Sequence, residues 1–253
     1  MLSEHGFEFT KENIDTYLKE LAKEYRKLIG KKMPAELILV GGASVLINYG
    51  FRNMTTDIDA LIQAASCMKE AINIVGDRFG LPSGWLNADF RKTDSYTPRL
   101  TQFSAYFKTY SNILTVRTVE AEYLIAMKLR SGRQYKSDLS DILGILAEHN
   151  SRGTPIKKEQ IQKAVTDLYG GWSALSETSR TFIENVFADG RFEELYKQVV
   201  IGEQETKELL LQFEQRNPGI AKVDNVGTIV EDLQRKSDTA SILAQLRKRQ
   251  DSK

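Results

Sequence analysis

Apolar side chains recur at three- and four-residue spacing through Ile14, Tyr17, Leu18, Leu21, Tyr25, Leu28 and Ile29, which predicts an amphipathic helix over residues 10–31. Lysines and glutamates alternate on its other face, so the stripe reads as core rather than membrane anchor. The period then changes. Leu37 to Val40 form a short continuous apolar run, the signature of a buried strand, and Gly41 and Gly42 follow as a turn. Ala43 to Tyr49 reads as a short helix stopped by Gly50, and Asp57 to Ile62 as a strand. Ser66 to Phe79 predicts a helix ended by Gly80, with Leu81 to Asp89 a loop leading into extended chain. Phe103 to Tyr110 and Ile113 to Arg117 read as strands around a Ser111-Asn112 turn. Two more helices follow, one from about Thr118 to Gly132, the other with core residues Leu139, Ile142, Leu143 and Leu146 and Ser137 as its cap.

Ser151-Arg-Gly-Thr-Pro155 is the best domain boundary, a cap signal and a proline ahead of a new helix. Beyond it, Ile156 to Leu168, Glu177 to Phe187 and Phe192 to Leu211 have helical spacing, Asn217-Pro218-Gly219 breaks the last, and residues 226–248 read as a final helix. The fold class expected is α/β (α+β): a mixed sheet with flanking helices over residues 1–150, then an all-α region over 151–253.

Composition narrows the chemistry. With 253 residues and 41% hydrophobic content there is enough chain for a substantial core, and a net charge of +1 argues against a surface built wholly for duplex DNA. One cysteine, Cys67, rules out an intramolecular disulfide and a thiolate zinc cage, and His5 and His149 are too few for a histidine metal centre. No apolar run approaches the ~20 residues of a membrane span and the N-terminus has no signal-peptide core, so a cytoplasmic protein is expected.

The candidate chemistry gathers where the glycines meet the acidic strand. Asp57 and Asp59 are two apart, so both carboxylates leave one face of the sheet while Ile58 goes to the other. Glycines at a strand–helix junction expose helix N–H groups to an anion, and a carboxylate pair beside them supplies hard oxygen ligands. The combination reads as a phosphate seat next to a metal-binding pair. Each part has a plainer reading: a glycine turn, an Asp57 cap and a solvated Asp59. Two unpaired aspartates on one strand face, however, repel unless a cation or partner sits between them.

This arrangement resembles the nucleotidyltransferase superfamily with its polymerase-beta-like fold, in which a Gly-Gly or Gly-Ser pair precedes Asp-x-Asp on the neighbouring strand. It is similar to a small bacterial branch that includes type IV abortive-infection toxins, whose pattern Arg52, Thr55, Thr56, Asp57 and Asp59 follow. A downstream block, Tyr123-Leu-Ile-Ala-Met-Lys128-Leu followed by Lys136-Ser-Asp138-Leu-Ser-Asp141, is also similar to that branch, and the likeness spans about residues 35 to 146.

The resemblance implies transfer of a nucleoside monophosphate from a nucleoside triphosphate with Mg2+ (or Mn2+), to transfer RNA, other RNA or protein, with a cognate antitoxin as a partner. Asp57 and Asp59 would hold the metal, and Gly41, Gly42, Ser44, Lys128 and Arg133 would bind the nucleotide. Asp141 would orient Lys128 or act as a base, with Asp138 competing for that role. Arg52, Arg117, Arg130, Arg133 and Lys136 would form a basic rim for the acceptor. The chain departs from the superfamily at the third carboxylate: the strand Ile113 to Arg117 has none, leaving Asp89 or Glu120 as substitutes. The competing readings are a catalytically silent nucleotide-binding module of the same fold and an interaction protein with a helical partner-binding tail.

Overall fold

The computed structural model describes residues 7–133, 136–222 and 225–235. The chain opens with α1 (Lys11–Ile29), started by a capping box in which Thr10 and Asn13 satisfy each other's backbone N–H groups. The sheet is mixed and runs in the order β3-β2-β1-β5-β4, with β1 (Ala35–Leu39), β2 (Ile58–Gln63), β3 (Leu86–Asn87), β4 (Ser104–Tyr110) and β5 (Leu114–Val119). The central strand β1 is antiparallel to β2 and parallel to β5. Ser111 and Asn112 both take the left-handed conformation (φ 51° and 52°) that a tight hairpin turn between twisted strands demands.

Alternation along the strands divides the interior into two apolar layers. Leu37, Leu39, Ile58 and Ala60 face a cluster closed by Leu18, Leu21 and Tyr25 of α1 and by Ala71 and Val75 of α3 (Met68–Phe79). Ile38, Val40, Leu61 and Val119 face a second cluster built on α4 (Ala121–Ser131) and α5 (Asp138–Ser151). The helices beyond Ser151 enter that same second cluster through Ile161 and Val165 of α6 (Lys158–Tyr169) and Ile183 of α7 (Glu177–Asp189). The long α8 (Phe192–Arg216) packs across α5. Residues 226–235 are helical, and the rest of the helix expected to residue 248 lies outside the described residues. No described helix is long and apolar enough to cross a membrane.

Three local expectations are corrected. The helix after the glycines, α2 (Gly41–Asn48), begins at Gly41 rather than Ala43 and ends because Tyr49 turns extended (φ −125°, ψ 156°) ahead of Gly50. Leu28 is exposed, while its neighbour Ile29 packs against the core, so the buried stripe passes Leu28 by at the end of the helix. Leu81 to Asp89 is not wholly loop: Leu86 and Asn87 pair with Ile58 and Asp59 as the edge strand β3.

Candidate active site

The carboxylate pair sits where β2 starts. Asp57 is exposed and Asp59 half-buried, while Ile58 between them is fully buried in the α1–α3 layer, so the two acids share the face covered by α4 and α5. The Val40 N–H donates to the Asp59 carbonyl at 3.0 Å, which pins the acidic strand to the glycine turn. The Asp59 carboxylate points back at that turn: its Oδ2 lies 4.0 Å from where a Cβ on Gly41 would stand. Among the described residues neither carboxylate has a hydrogen-bonding or ion-pair partner. Burial, and then the neighbouring Asp57 charge, push the Asp59 carboxyl up to about 6, with Lys136 and Arg133 pulling the other way.

The glycines have separate reasons. Gly41 takes φ 55°, which a side chain would strain, and places the start of α2 beside Asp59. Gly42 admits close packing: a Cβ there would lie 2.6 Å from Thr55 Oγ1 and 2.9 Å from Arg52 Nη2. Gly42→Ala is therefore expected to destabilise the chain by about 1–2 kcal/mol in urea unfolding and to displace Arg52. No side chain caps α2, which leaves its first N–H groups without a side-chain acceptor, and the Arg52 guanidinium lies close to Gly42. Ser44 is fully buried and its hydroxyl has no partner among the described residues.

Lys128 is the centre of an ion network. Its ammonium lies 2.6 Å from Asp141 Oδ2 and 3.0 Å from Asp138 Oδ1, all three groups being buried. Arg52 Nη1 meets Asp141 at 2.5 Å and Arg133 Nε meets Asp138 at 2.9 Å, so the network runs from the glycine turn to the α4–α5 connection. Burial works against the Lys128 charge, but Asp141 and Asp138 outweigh it and hold the lysine protonated. Burial likewise opposes ionisation of Asp138, and Lys128 and Arg133 hold it well below the usual carboxylate range. Asp138 is thus more than a first-turn acid on the helix dipole, and Ser137 makes no side-chain cap bond. The choice between Asp138 and Asp141 as partner of Lys128 resolves to both.

The family model described as a nucleotidyltransferase of unknown function (DUF6036) matches residues 16–148, just over half the chain. The chain belongs to this family. The match runs from within α1 into α5 and takes in the glycine turn, Asp57, Asp59, Lys128, Asp138 and Asp141. No curated protein and no solved structure matches the chain.

For a member of a nucleotidyltransferase family, the fate of the remaining expected site residues matters. The basic rim does not form as a set. Arg117 donates to the hydroxyl and carbonyl of Ser104, and Arg130 to the carbonyls of Asp94 and Ala174, so both brace backbone; Arg52 and Arg133 are in the ion network. Lys136 lies within electrostatic reach of Asp57 and Asp59, its charge disfavoured by desolvation and by Arg133. Of the two substitute carboxylates, Asp89 is near enough to help raise the Asp59 carboxyl, whereas the neighbours that move Glu120 are Glu122 and Arg117. The residue in register with Asp59 on β3 is an amide, Asn87.

Sequence reasoning missed β3, which is too short for an alternation signal, and also missed Glu203. This α8 side chain takes the N–H groups of Leu139 and Ser140 at the start of α5, a contact between residues 63 and 64 positions apart. Nothing in the local pattern marks it.

Magnesium suits the donor set. A half-buried carboxylate with a raised titration point, a second carboxylate on the same face and, among the described residues, no cation bonded to either form a site that a divalent ion would relieve. Among the described residues no three histidine, cysteine or acidic side chains cluster to cage a metal. One or two carboxylates completed by phosphate oxygens and water is the usual provision for Mg2+.

Proposed function

We propose that this chain transfers a nucleoside monophosphate from a nucleoside triphosphate, bound with Mg2+ (or Mn2+), to an RNA or protein acceptor. The unpaired Asp57–Asp59 face turned toward the glycine start of α2 is the observation that carries this reading. Asp57 and Asp59 would hold the metal, which when bound would supply positive charge against the triphosphate and help activate the acceptor hydroxyl. Gly41 and Gly42 let the N–H groups of α2 approach the phosphates without a Cβ in the way, and the Arg52 guanidinium adds positive charge at that end. Arg133 and Lys136 lie within electrostatic reach of Asp59 and would favour an anion beside it. Attack on the α-phosphorus would run in line with loss of pyrophosphate, with Asp89 as the added carboxylate near the pair.

Two expected roles change. Lys128 belongs to the support of the site, since both neighbouring aspartates occupy its ammonium. Ser44 has no exposed surface to offer a phosphate. The spacing of the motifs is similar to that of the type IV abortive-infection toxins, and on that likeness transfer RNA is the acceptor and a cognate antitoxin the partner we propose. A catalytically silent nucleotide-binding relative is the second reading, favoured by Asn87 standing opposite Asp59 where a carboxylate would complete a metal cage.

Incubation with radiolabelled nucleoside triphosphates, Mg2+ and total RNA or cell protein tests the proposal. Label transfer by the wild type and its loss in Asp57→Ala Asp59→Ala is the expected outcome. Binding of nucleotide without transfer supports the silent relative, and equal transfer by the variant excludes the proposed site.

A further inference from the structure

The N-terminus of α5 is held from outside its own segment. Leu139 and Ser140 are the second and third residues of that helix, the positions whose N–H groups a helix cap normally takes. Ser137, at the cap position, makes no such bond, and Glu203 Oε1 accepts both instead, at 3.1 and 3.2 Å. The helix so capped carries Asp138 and Asp141 in its first turn, and these contact Lys128, Arg133 and Arg52. Three cations thus meet two aspartates in the network, and the Glu203 carboxyl holds the start of the helix that carries both aspartates. A second anchor lies one end along the same helix: Tyr196 Oη donates to the Phe51 carbonyl at 3.2 Å and packs edge-on against the Phe51 ring, next to Arg52. Through these two contacts α8, which lies beyond the family match, reaches both ends of the ion network.

We propose that Glu203 is a positioning residue of the Asp57–Asp59 site, a side chain supplied by α8 that caps α5 and thereby fixes Asp138 and Asp141, and with them Arg133 and Lys136, beside the carboxylate pair. The proposal rests on the reading of Asp57 and Asp59 as the metal–nucleotide site. Its chemistry is that of a helix cap: a side-chain oxygen at a helix N-terminus satisfies orphan N–H groups, and any charge it carries opposes the positive end of the dipole. Burial, with Asp141 adding to it, pushes the Glu203 carboxyl up to about 7, against the pull of the Leu139 and Ser140 N–H groups. The position therefore suits an amide as well as a carboxylate, which separates the bond from the charge.

The test uses the full chain as wild type, Glu203→Ala and Glu203→Gln, and reads amide hydrogen exchange together with affinity for ATP and Mg2+. Glu203→Ala is expected to speed exchange at Leu139, Ser140, Arg133 and Lys136 about tenfold and to weaken ATP binding by a similar factor. Glu203→Gln, whose side-chain oxygen still accepts both bonds, is expected to stay within about threefold of wild type in both. Where Glu203→Ala does not fold, Glu203→Asp, one methylene too short to hold both bonds, should show the same pattern. Unchanged exchange at Arg133 and Lys136 in the Ala variant, or faster exchange with unaltered ATP affinity, overturns the proposal. A wild type that binds no nucleotide refutes the underlying reading of Asp57 and Asp59, and exchange at Arg133 and Lys136 still decides whether Glu203 holds those two residues in place.

Discussion

Lys128→Met is expected to destabilise the chain by about 3–5 kcal/mol in urea unfolding at neutral pH, the range seen when one partner of a buried ion pair is removed. The ammonium is enclosed, and its loss leaves Asp138 and Asp141 buried with only Arg133 and Arg52 to meet them. Removing one carboxylate as well should recover part of the loss: Lys128→Met Asp138→Asn is expected to be more stable than Lys128→Met alone, the coupling that a double-mutant cycle reads. The dependence on pH has a definite sign. Asp138 titrates lower in the fold than in the unfolded chain, so its contribution is present above about pH 4 and is lost as the pH falls further. The gap between wild type and Lys128→Met should therefore narrow in acid. Loss of activity in a Lys128 variant would report support of the site rather than contact with the triphosphate.

Asp59→Asn is expected to do the opposite and stabilise the metal-free chain by on the order of 2 kcal/mol at pH 8. Asp59 titrates at about 6 in the fold, above the ordinary carboxylate range, because burial and Asp57 disfavour its charge. Its contribution to stability is thus fullest below about pH 4 and is lost as the pH rises through about 6. Above that point the wild type carries a half-buried carboxylate with no bonded cation among the described residues, and the amide does not. Thermal unfolding of the two chains across pH 3 to 8 in EDTA should show curves that meet below about pH 4, draw apart as the pH rises to about 6 and stay apart above it. Such a cost in the metal-free chain is what the proposed metal role of Asp59 entails.

Much of this was legible in the sequence, and what was not has physical causes. Period-two spacing placed Asp57 and Asp59 on one face, and Ile58 buried on the other bears that out. The apolar spacing marked α6, α7 and α8 to within a few residues, because each buries one stripe against a common core. Gly42 was visible as a glycine, but its reason, the close approach of Thr55 and Arg52, depends on side chains that fold back onto it. Lys128 shows the same limit. Its helix position suggested either a solvated amine or a phosphate contact, since spacing reveals a face and not what that face meets. Asp138 and Asp141, three apart on a helix yet to be packed, supplied the answer. Glu203 was beyond reach because a cap delivered from another helix leaves no local pattern.

The central claim, that Asp57 and Asp59 hold a metal-bound nucleotide, is tested most directly by thermal unfolding at pH 8 with each nucleoside triphosphate, with and without Mg2+, for wild type and Asp57→Asn Asp59→Asn. The account predicts that at least one nucleotide with Mg2+ raises the wild-type Tm by roughly 5–10 °C at saturation, that neither component does so alone, and that the variant does not respond. An equal shift in both chains, or no shift with any nucleotide, would contradict it.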